Sequence, residues 1–290
     1  MLATFLPNQR TLRRSNLFVQ DEMTLTDALT TTLGLKIDRN TFTGNEVLPT
    51  VRMAWKPAST HLVWGAVSRA VRAPSRIDKE FFFPGNPPFL IRGGPDFESE
   101  IANVFELGYR GDISDRITVS VTAFRHRYYD LRSGAPNPGG GFVVTNNNEG
   151  PTHGLEAWTT LQITPDWRIH AGFVELRKHL REKYPGRDPE GTTDLGNDPK
   201  HQALVRSQHN FGEHHELDIT LRGASQLPAP RIPGYAVADV RWGWRPNDHL
   251  TAALTVRNIG DARHPEFEAG ALAKQTEFGR TAMIDVEWRW

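Results

Sequence analysis

Residues 279–290 read GRTAMIDVEWRW. From Thr281 the side chains alternate to the last residue. Ala282, Ile284, Val286, Trp288 and Trp290 fall on one face, and Thr281, Met283, Asp285, Glu287 and Arg289 on the other. A strand repeats every two residues, so this stretch has one apolar face and one mostly polar face. Two readings fit it. In a membrane β-barrel the apolar face meets lipid, the aromatics sit at the interface and the polar face lines a wet interior. In a soluble sandwich the same stretch is a half-buried terminal strand.

Composition narrows the function classes. The chain has 290 residues and a formal net charge of zero, which gives no electrostatic case for nucleic acid. It has no cysteine, so disulfides, thiolate metal sites and cysteine nucleophiles are excluded. No run approaches the ~18 apolar residues of a membrane helix. A barrel strand shows lipid only every second residue, so a polar average leaves that fold open. The first residues, MLATFLPNQRTLRRS, do not read as a signal peptide: Pro7 interrupts a short apolar stretch and the arginines follow it.

The two-residue period recurs along the chain. Leu29, Thr31, Leu33, Leu35 and Ile37 alternate with polar neighbours, as do Val51, Met53 and Trp55, then Ile117, Val119 and Val121. A long strand is expected from Phe142 to Ile163, with a break near Gly150-Pro151. Later strands carry Trp167, Ile169 and Phe173, then Leu217 and Ile219, then Trp242 and Trp244. The total is about thirteen strands of roughly nine to thirteen residues, longer than the ~5–6 of soluble sheets. Ten residues at ~3.3 Å, tilted near 45°, span roughly 23 Å, close to the ~25 Å apolar band of an outer-membrane barrel. The connections alternate in length. PAST, GDISD, TPD, GEHH and RPND are short, whereas 39–46, 73–97, 132–141, 178–200, 225–234 and 259–277 are long. An up-and-down barrel does this because one rim has tight turns and the other long loops. The expected fold is therefore all-β, an antiparallel up-and-down transmembrane β-barrel, read as a single domain over residues 1–290.

Several segments resemble the barrel of TonB-dependent outer-membrane receptors: NLFVQDEMTLTDALTTTLGLKIDRN (16–40), LVWGAVSRAVRAPSRID (62–78), ESEIANVFELGYRG (98–111), NNNEGPTHGLEAW (146–158), PGYAVADVRWGW (233–244), LTVRNIGDARHPEF (254–267) and the terminal GRTAMIDVEWRW. They follow the family's order over nearly the whole chain. The resemblance implies import of an iron–siderophore complex, or of haem, cobalamin or sugar, driven by TonB–ExbB–ExbD. It also implies an outer-membrane location with lipid and lipopolysaccharide around the barrel, and terminal-strand recognition by the barrel-assembly machinery. Family barrels have about 22 strands around a plug. The expectation is thus a C-terminal portion, without plug, TonB box or signal peptide, that does not transport alone. The terminal Trp290 stands where the family commonly has Phe. A structural or adhesion barrel without coupled transport is the alternative.

Candidate binding residues follow from chemistry and position. Arg69, Arg72 and Arg76 cluster where a strand meets a long loop, and guanidinium suits an anionic ferric complex. Rim salt bridges or lipopolysaccharide contacts are the competing role. Phe81, Phe82 and Phe83 either cap a ligand or pack against neighbouring loops. Phe124, His126 and Tyr128 point inward by alternation, toward a ligand or simply toward solvent. His209, His214 and His215 match no zinc spacing. Asp188, Glu190, Asp194 and Asp198 share one charged loop, expected to be solvated rather than a calcium site. Asp239, Arg241, Arg257, Asp285, Glu287 and Arg289 read as lumen, because Arg on the lipid face at mid-depth costs ~2–4 kcal/mol. That leaves Ile284, Val286, Trp288 and Trp290 facing lipid. Neither a nucleophile elbow nor a phosphate loop nor an HExxH motif occurs, so the expectation is a non-enzyme with no metal and no cofactor.

Overall fold

A computed structural model of the protein describes residues 2–137, 139–189, 191–193, 195–267 and 276–290. Thirteen long strands run through them: β1 (Arg14–Thr26), β2 (Leu29–Asn40), β3 (Gly44–Ala58), β4 (His61–Arg72), β5 (Glu100–Ser114), β6 (Ile117–Pro136), β7 (Phe142–Thr164), β8 (Trp167–Lys178), β9 (His201–Phe211), β10 (His215–Ala224), β11 (Tyr235–Asn247), β12 (Leu250–Arg257) and β13 (Thr281–Trp288). The short and long connections alternate as the sequence predicts, except that the first of the long set is only residues 41–43. Residues 27–28, 59–60, 115–116, 165–166, 212–214 and 248–249 make the short set. The long set holds short strands and one five-residue helix, Arg76–Glu80.

Three expectations are corrected. The loop at 39–46 shrinks to residues 41–43, because Asn40 Oδ1 accepts the N–H groups of Phe42 and Thr43, each at 2.9 Å, and Gly44 takes φ +75°. The turn expected over GDISD is mostly strand, with β5 running to Ser114. The break near Gly150-Pro151 does not occur, and β7 continues from Phe142 to Thr164.

The chain divides into two compact units whose boundary falls within β5, β6, β7 and β8. The first comprises 1–108, 123–153 and 177–196. Its ladders align one apolar face: Leu17 pairs with Ile37 and Ile37 with Val47, Leu33 pairs with Val51 and Val51 with Val67, and Leu29 pairs with Trp55. The opposite face carries Gln20, Gly34, Thr50 and Ser68 in one row.

The second unit comprises 109–122, 154–176 and 197–290. One row there reads Trp167, His209, Leu217, Trp242, Leu254 and Ile284. The next reads Phe211, His215, Trp244, Ala252 and Val286. Aromatics therefore collect toward the short turns, with Trp167 stacked on His209 at 5.1 Å and His215 on Trp242 at 5.7 Å. The other face is ionic: Arg206 meets Asp218 at 2.8 Å and Arg241 meets Glu216 at 3.2 Å.

These apolar rows are not a core. Among the described residues, the buried apolar side chains are Phe97, Val144, Leu227, Ile232, Val237 and Ala253. In contrast, Ile284 is 74 % exposed and Val286 67 %. A soluble sandwich packs its apolar sheet faces against each other, so an apolar face left bare across successive strands overturns that reading.

Candidate functional site at the long-loop end

The candidate site lies in the first unit, where β1–β4 meet the loops at 41–43 and 73–99. Arg72 ends β4. It donates to Asp78 at 3.0 Å and to Glu100, and its guanidinium lies 5.7 Å from the Phe97 ring. Asp78 sits in the helix 76–80, whose N-cap is Ser75. The Ser75 N–H and hydroxyl each donate to Asp78 Oδ2 at 2.8 Å, a reciprocal capping box. Arg132 adds a fourth contact, at 3.6 Å. Burial pushes the Asp78 carboxyl up, but Ser75 and Arg72 outweigh it, and the group lies below the usual carboxylate range.

The loop is folded back tightly. Gly94 donates to the Asp78 carbonyl at 2.8 Å, and a Cβ at Gly94 would come within 1.9 Å of the Val144 carbonyl oxygen. The NNN run at 146–148 anchors other loops. Asn146 Oδ1 accepts from the Glu98 N–H at 2.6 Å, Asn147 exchanges bonds with the Tyr184 backbone, and the fully buried Asn148 donates to the Gly191 carbonyl at 3.0 Å. These asparagines rigidify the loops from below, a role the sequence reading missed.

The three predicted arginines do not converge. Arg76 pairs with Glu80 at 2.6 Å and lies over the Phe5 ring at 4.7 Å. Arg69 donates to the Val47 carbonyl at 2.6 Å and is 4.0 Å from Glu46. Each is held by its own acceptor, which matches the rim salt-bridge alternative. Phe82 packs on Phe89, 4.9 Å between ring centroids, and its segment pairs with Thr4–Phe5. His126 lies between Phe124 and Tyr128, with centroids at 5.0 and 6.2 Å. The Tyr128 hydroxyl is 3.4 Å from Nδ1, while Nε2 is buried without a hydrogen-bond partner.

What the structure does assemble is a pocket of about 390 Å³ lined by Arg13, Arg14, Asp38, Phe42, Glu46 and Arg72 among others. Of the predicted residues only Arg72 reaches it. Arg14 is neutralised by Asp38, with Nε 3.1 Å from both carboxylate oxygens. Arg72 is neutralised by Asp78 and Glu100. Arg13 has no carboxylate partner among the described residues, and the remaining acid of the lining, Glu46, lies 4.0 Å from Arg69. Phe42 supplies an aromatic wall, and Arg10 lies over its ring at 4.9 Å. The arrangement suits an anionic ligand with flat apolar surface. The Arg13-Arg14 pair at the start of β1 was the available signal.

In the second unit the segment 258–267 forms its own network. Arg222 meets Glu266 at 2.9 Å and Asp239 at 3.7 Å, and His264 stacks on Tyr235 at 4.4 Å. Burial raises the Glu266 carboxyl, but hydrogen bonds from Arg222 and His264 bring it below its usual value. His209 and His215 are stacked on tryptophans, and His214 bonds the Arg245 carbonyl at 2.8 Å in a turn. Asp188 is buried and accepts from the Gly134 N–H at 2.9 Å, which corrects its assignment as solvated. Glu190 and Asp194 lie outside the described residues.

Residues 3–259 match the family model described as TonB dependent receptor-like, beta-barrel. The chain is 25 % identical over 179 residues to the catecholate siderophore receptor Fiu of Escherichia coli K12, covering 57 % of this chain and 22 % of that protein. Among solved structures, it resembles the siderophore receptor PirA of Acinetobacter baumannii (TM-score 0.77, 16 % identity, 96 % of this chain and 46 % of that one). A mutant of the ferric enterobactin receptor PfeA of Pseudomonas aeruginosa is similar at TM-score 0.75 and 17 % identity, covering 96 % of this chain and 45 % of that one. The FrpB iron transporter of Neisseria meningitidis gives TM-score 0.77 at 15 % identity, again 96 % of this chain and 45 % of that one. The chain thus spans less than half the length of these proteins.

Proposed function

Because the chain belongs to the TonB-dependent receptor β-barrel family, whose fold is an antiparallel up-and-down transmembrane barrel, we propose that it forms part of an outer-membrane importer for a ferric siderophore. The supporting observation is the pocket at the long-loop end, where Arg13 is an unneutralised cation beside the Phe42 ring. A ferric catecholate complex is anionic and presents flat rings, so it meets both features. Capture there is the first step, and TonB–ExbB–ExbD supplies the energy for passage in the whole receptor. Ile284, Val286, Trp288 and Trp290 face lipid in this reading, and the terminal strand is what the barrel-assembly machinery engages. Arg72 contributes by fixing the pocket wall. Arg69, Arg76, Phe82, His126 and Tyr128 have supporting rather than ligand-contacting roles. The protein acts as a receptor rather than an enzyme.

Binding tests this directly. The chain has eight tryptophans, so emission quenching reports a bound iron complex. Saturable quenching by a ferric catecholate siderophore, weaker with the iron-free form, is expected. Absence of saturation with ferric catecholate and ferric hydroxamate alike sinks the proposal.

A further inference from the structure

The segment that precedes β1 is held against the loop at 73–99. Thr4 and Phe5 pair with Phe82 and Phe81, and the Leu6 N–H donates to the Glu80 carbonyl at 2.9 Å. Further along, Arg13 exchanges bonds with Thr41. Its N–H donates to Thr41 Oγ1 at 2.7 Å, and that hydroxyl donates to the Arg13 carbonyl at 3.1 Å. Arg10 lies between these two anchors. Its guanidinium donates to Glu80 Oε1 and lies over the Phe42 ring, 4.9 Å from the centroid. Arg76 donates to the other oxygen, Glu80 Oε2, at 2.6 Å. The Glu80 side chain is buried, and neither it nor Arg10 lines the pocket.

A buried carboxylate keeps its charge only with cations beside it, and Glu80 has two. The charge of Arg10 is therefore committed to Glu80 and is not offered to a ligand. What Arg10 supplies is a fixed plane against Phe42. That ring belongs to the turn at 41–43, and among the described residues it stacks on no other ring. Because Arg10 stays out of the lining, the pocket side of the ring is left open. A cation held over one face draws on the π density of the ring, which suits the other face to an electron-rich ring. A catecholate, with two anionic oxygens on its ring, is such a partner. An aliphatic carboxylate is not.

We propose that Arg10 and Glu80 are positioning residues that set the ligand selectivity of the pocket: Glu80 holds Arg10 against Phe42, and the fixed, polarised ring favours aromatic over aliphatic iron chelates. The inference deepens the importer reading and rests on it. Arg13 attracts any anionic chelate, whereas the Glu80–Arg10–Phe42 relay acts only on those that carry rings.

The test uses the full chain in neutral detergent, with tryptophan quenching by two anionic probes, a ferric tris(catecholate) complex and ferric citrate. The wild type should prefer the catecholate. Arg10→Gln should weaken the catecholate roughly three- to tenfold, the range of one aromatic stacking contact, and leave ferric citrate unchanged. Arg10→Lys, which keeps a cation over the ring, should recover part of the loss. Glu80→Gln should weaken the catecholate without weakening citrate. Phe42→Leu should match Arg10→Gln, and the double variant should lose no more than Phe42→Leu alone, because both act through one ring. A structural role without selectivity predicts equal losses for the two probes, and that outcome overturns the proposal. So does additive loss in the double variant, or wild-type catecholate affinity in Arg10→Gln. Where the wild type binds and only the variants disagree, the importer reading stands and the relay alone falls. A wild type that binds neither probe overturns both.

Discussion

Replacing Ile284 by arginine, and separately Asp285 by arginine, puts one side chain on opposite faces of β13. Ile284 lies opposite Leu254 and Asp285 opposite Ala253. Trp288, opposite Leu250, marks the short-turn end of the strand, and Ile284 is four residues above it. Four residues at ~3.3 Å, tilted ~45°, give roughly 9 Å of height, near the middle of a ~25 Å band. Arginine there costs ~2–4 kcal/mol, falling toward ~0–1 near the interfaces, so about 2–3 kcal/mol is expected for Ile284→Arg. Asp285→Arg faces the ionic side, where water and Glu216-type carboxylates are available, and should cost under about 1 kcal/mol. Urea unfolding from phosphatidylcholine vesicles, followed by tryptophan emission, reads the difference. With a slope of ~1–3 kcal/mol per molar urea, Ile284→Arg should lower the midpoint by roughly 1–2 M relative to Asp285→Arg. If this face met water instead, an isoleucine 74 % exposed would give way to arginine at no cost. Equal midpoints for the two variants refute the lipid-facing assignment.

Three further outcomes are expected. Arg13→Gln should weaken ferric siderophore quenching roughly tenfold without shifting the unfolding midpoint, since Arg13 has no carboxylate partner to lose; equal affinity removes Arg13 from the site. The Asp78 carboxyl is held below its usual value in the folded state, so its contribution is complete above the unfolded pKa of ~3.9 and is lost as pH falls through the lower folded value. Protease nicking within 73–99 should accordingly be flat from pH 8 to 5 and rise only below about pH 4, whereas Asp78→Asn should raise it at every pH; a rise centred near neutrality contradicts this. A Cβ at Gly172 would meet the Trp158 ring at 2.1 Å, so Gly172→Val must displace the indole and should cost ~1–3 kcal/mol, read as a lowered urea midpoint and altered tryptophan emission.

The number and direction of the strands were legible because lipid imposes hydropathy contrast within the membrane band. Beyond that band both faces are polar and the contrast vanishes. This is why Arg39–Asn40 and Gly44–Glu46 read as loop yet form ladder pairs, and why the GDIS residues of β5 read as turn. The capping asparagine and Gly44 were visible as residues, but composition alone does not separate a three-residue turn from an eight-residue loop. The pocket was hidden for another reason. Arg13 and Phe42 are brought together only by the register that sets Arg14 against Asn40, which no local pattern reports.

The arginines show where local chemistry was readable and was passed over. Arg76 and Glu80 are four apart on a helical turn, and Ser75 with Asp78 has capping-box spacing. Those spacings already assign an acid to Arg76 and put a second beside Arg72. A cation with a local acid is a structural anchor by default, because separating a buried pair leaves the remaining charge stranded. Residues that lack such an acid are the better candidates for an external anion. By that criterion Arg13 stands apart from Arg14, Arg72 and Arg76, each of which has its own carboxylate, and is the residue left to meet an anionic iron complex.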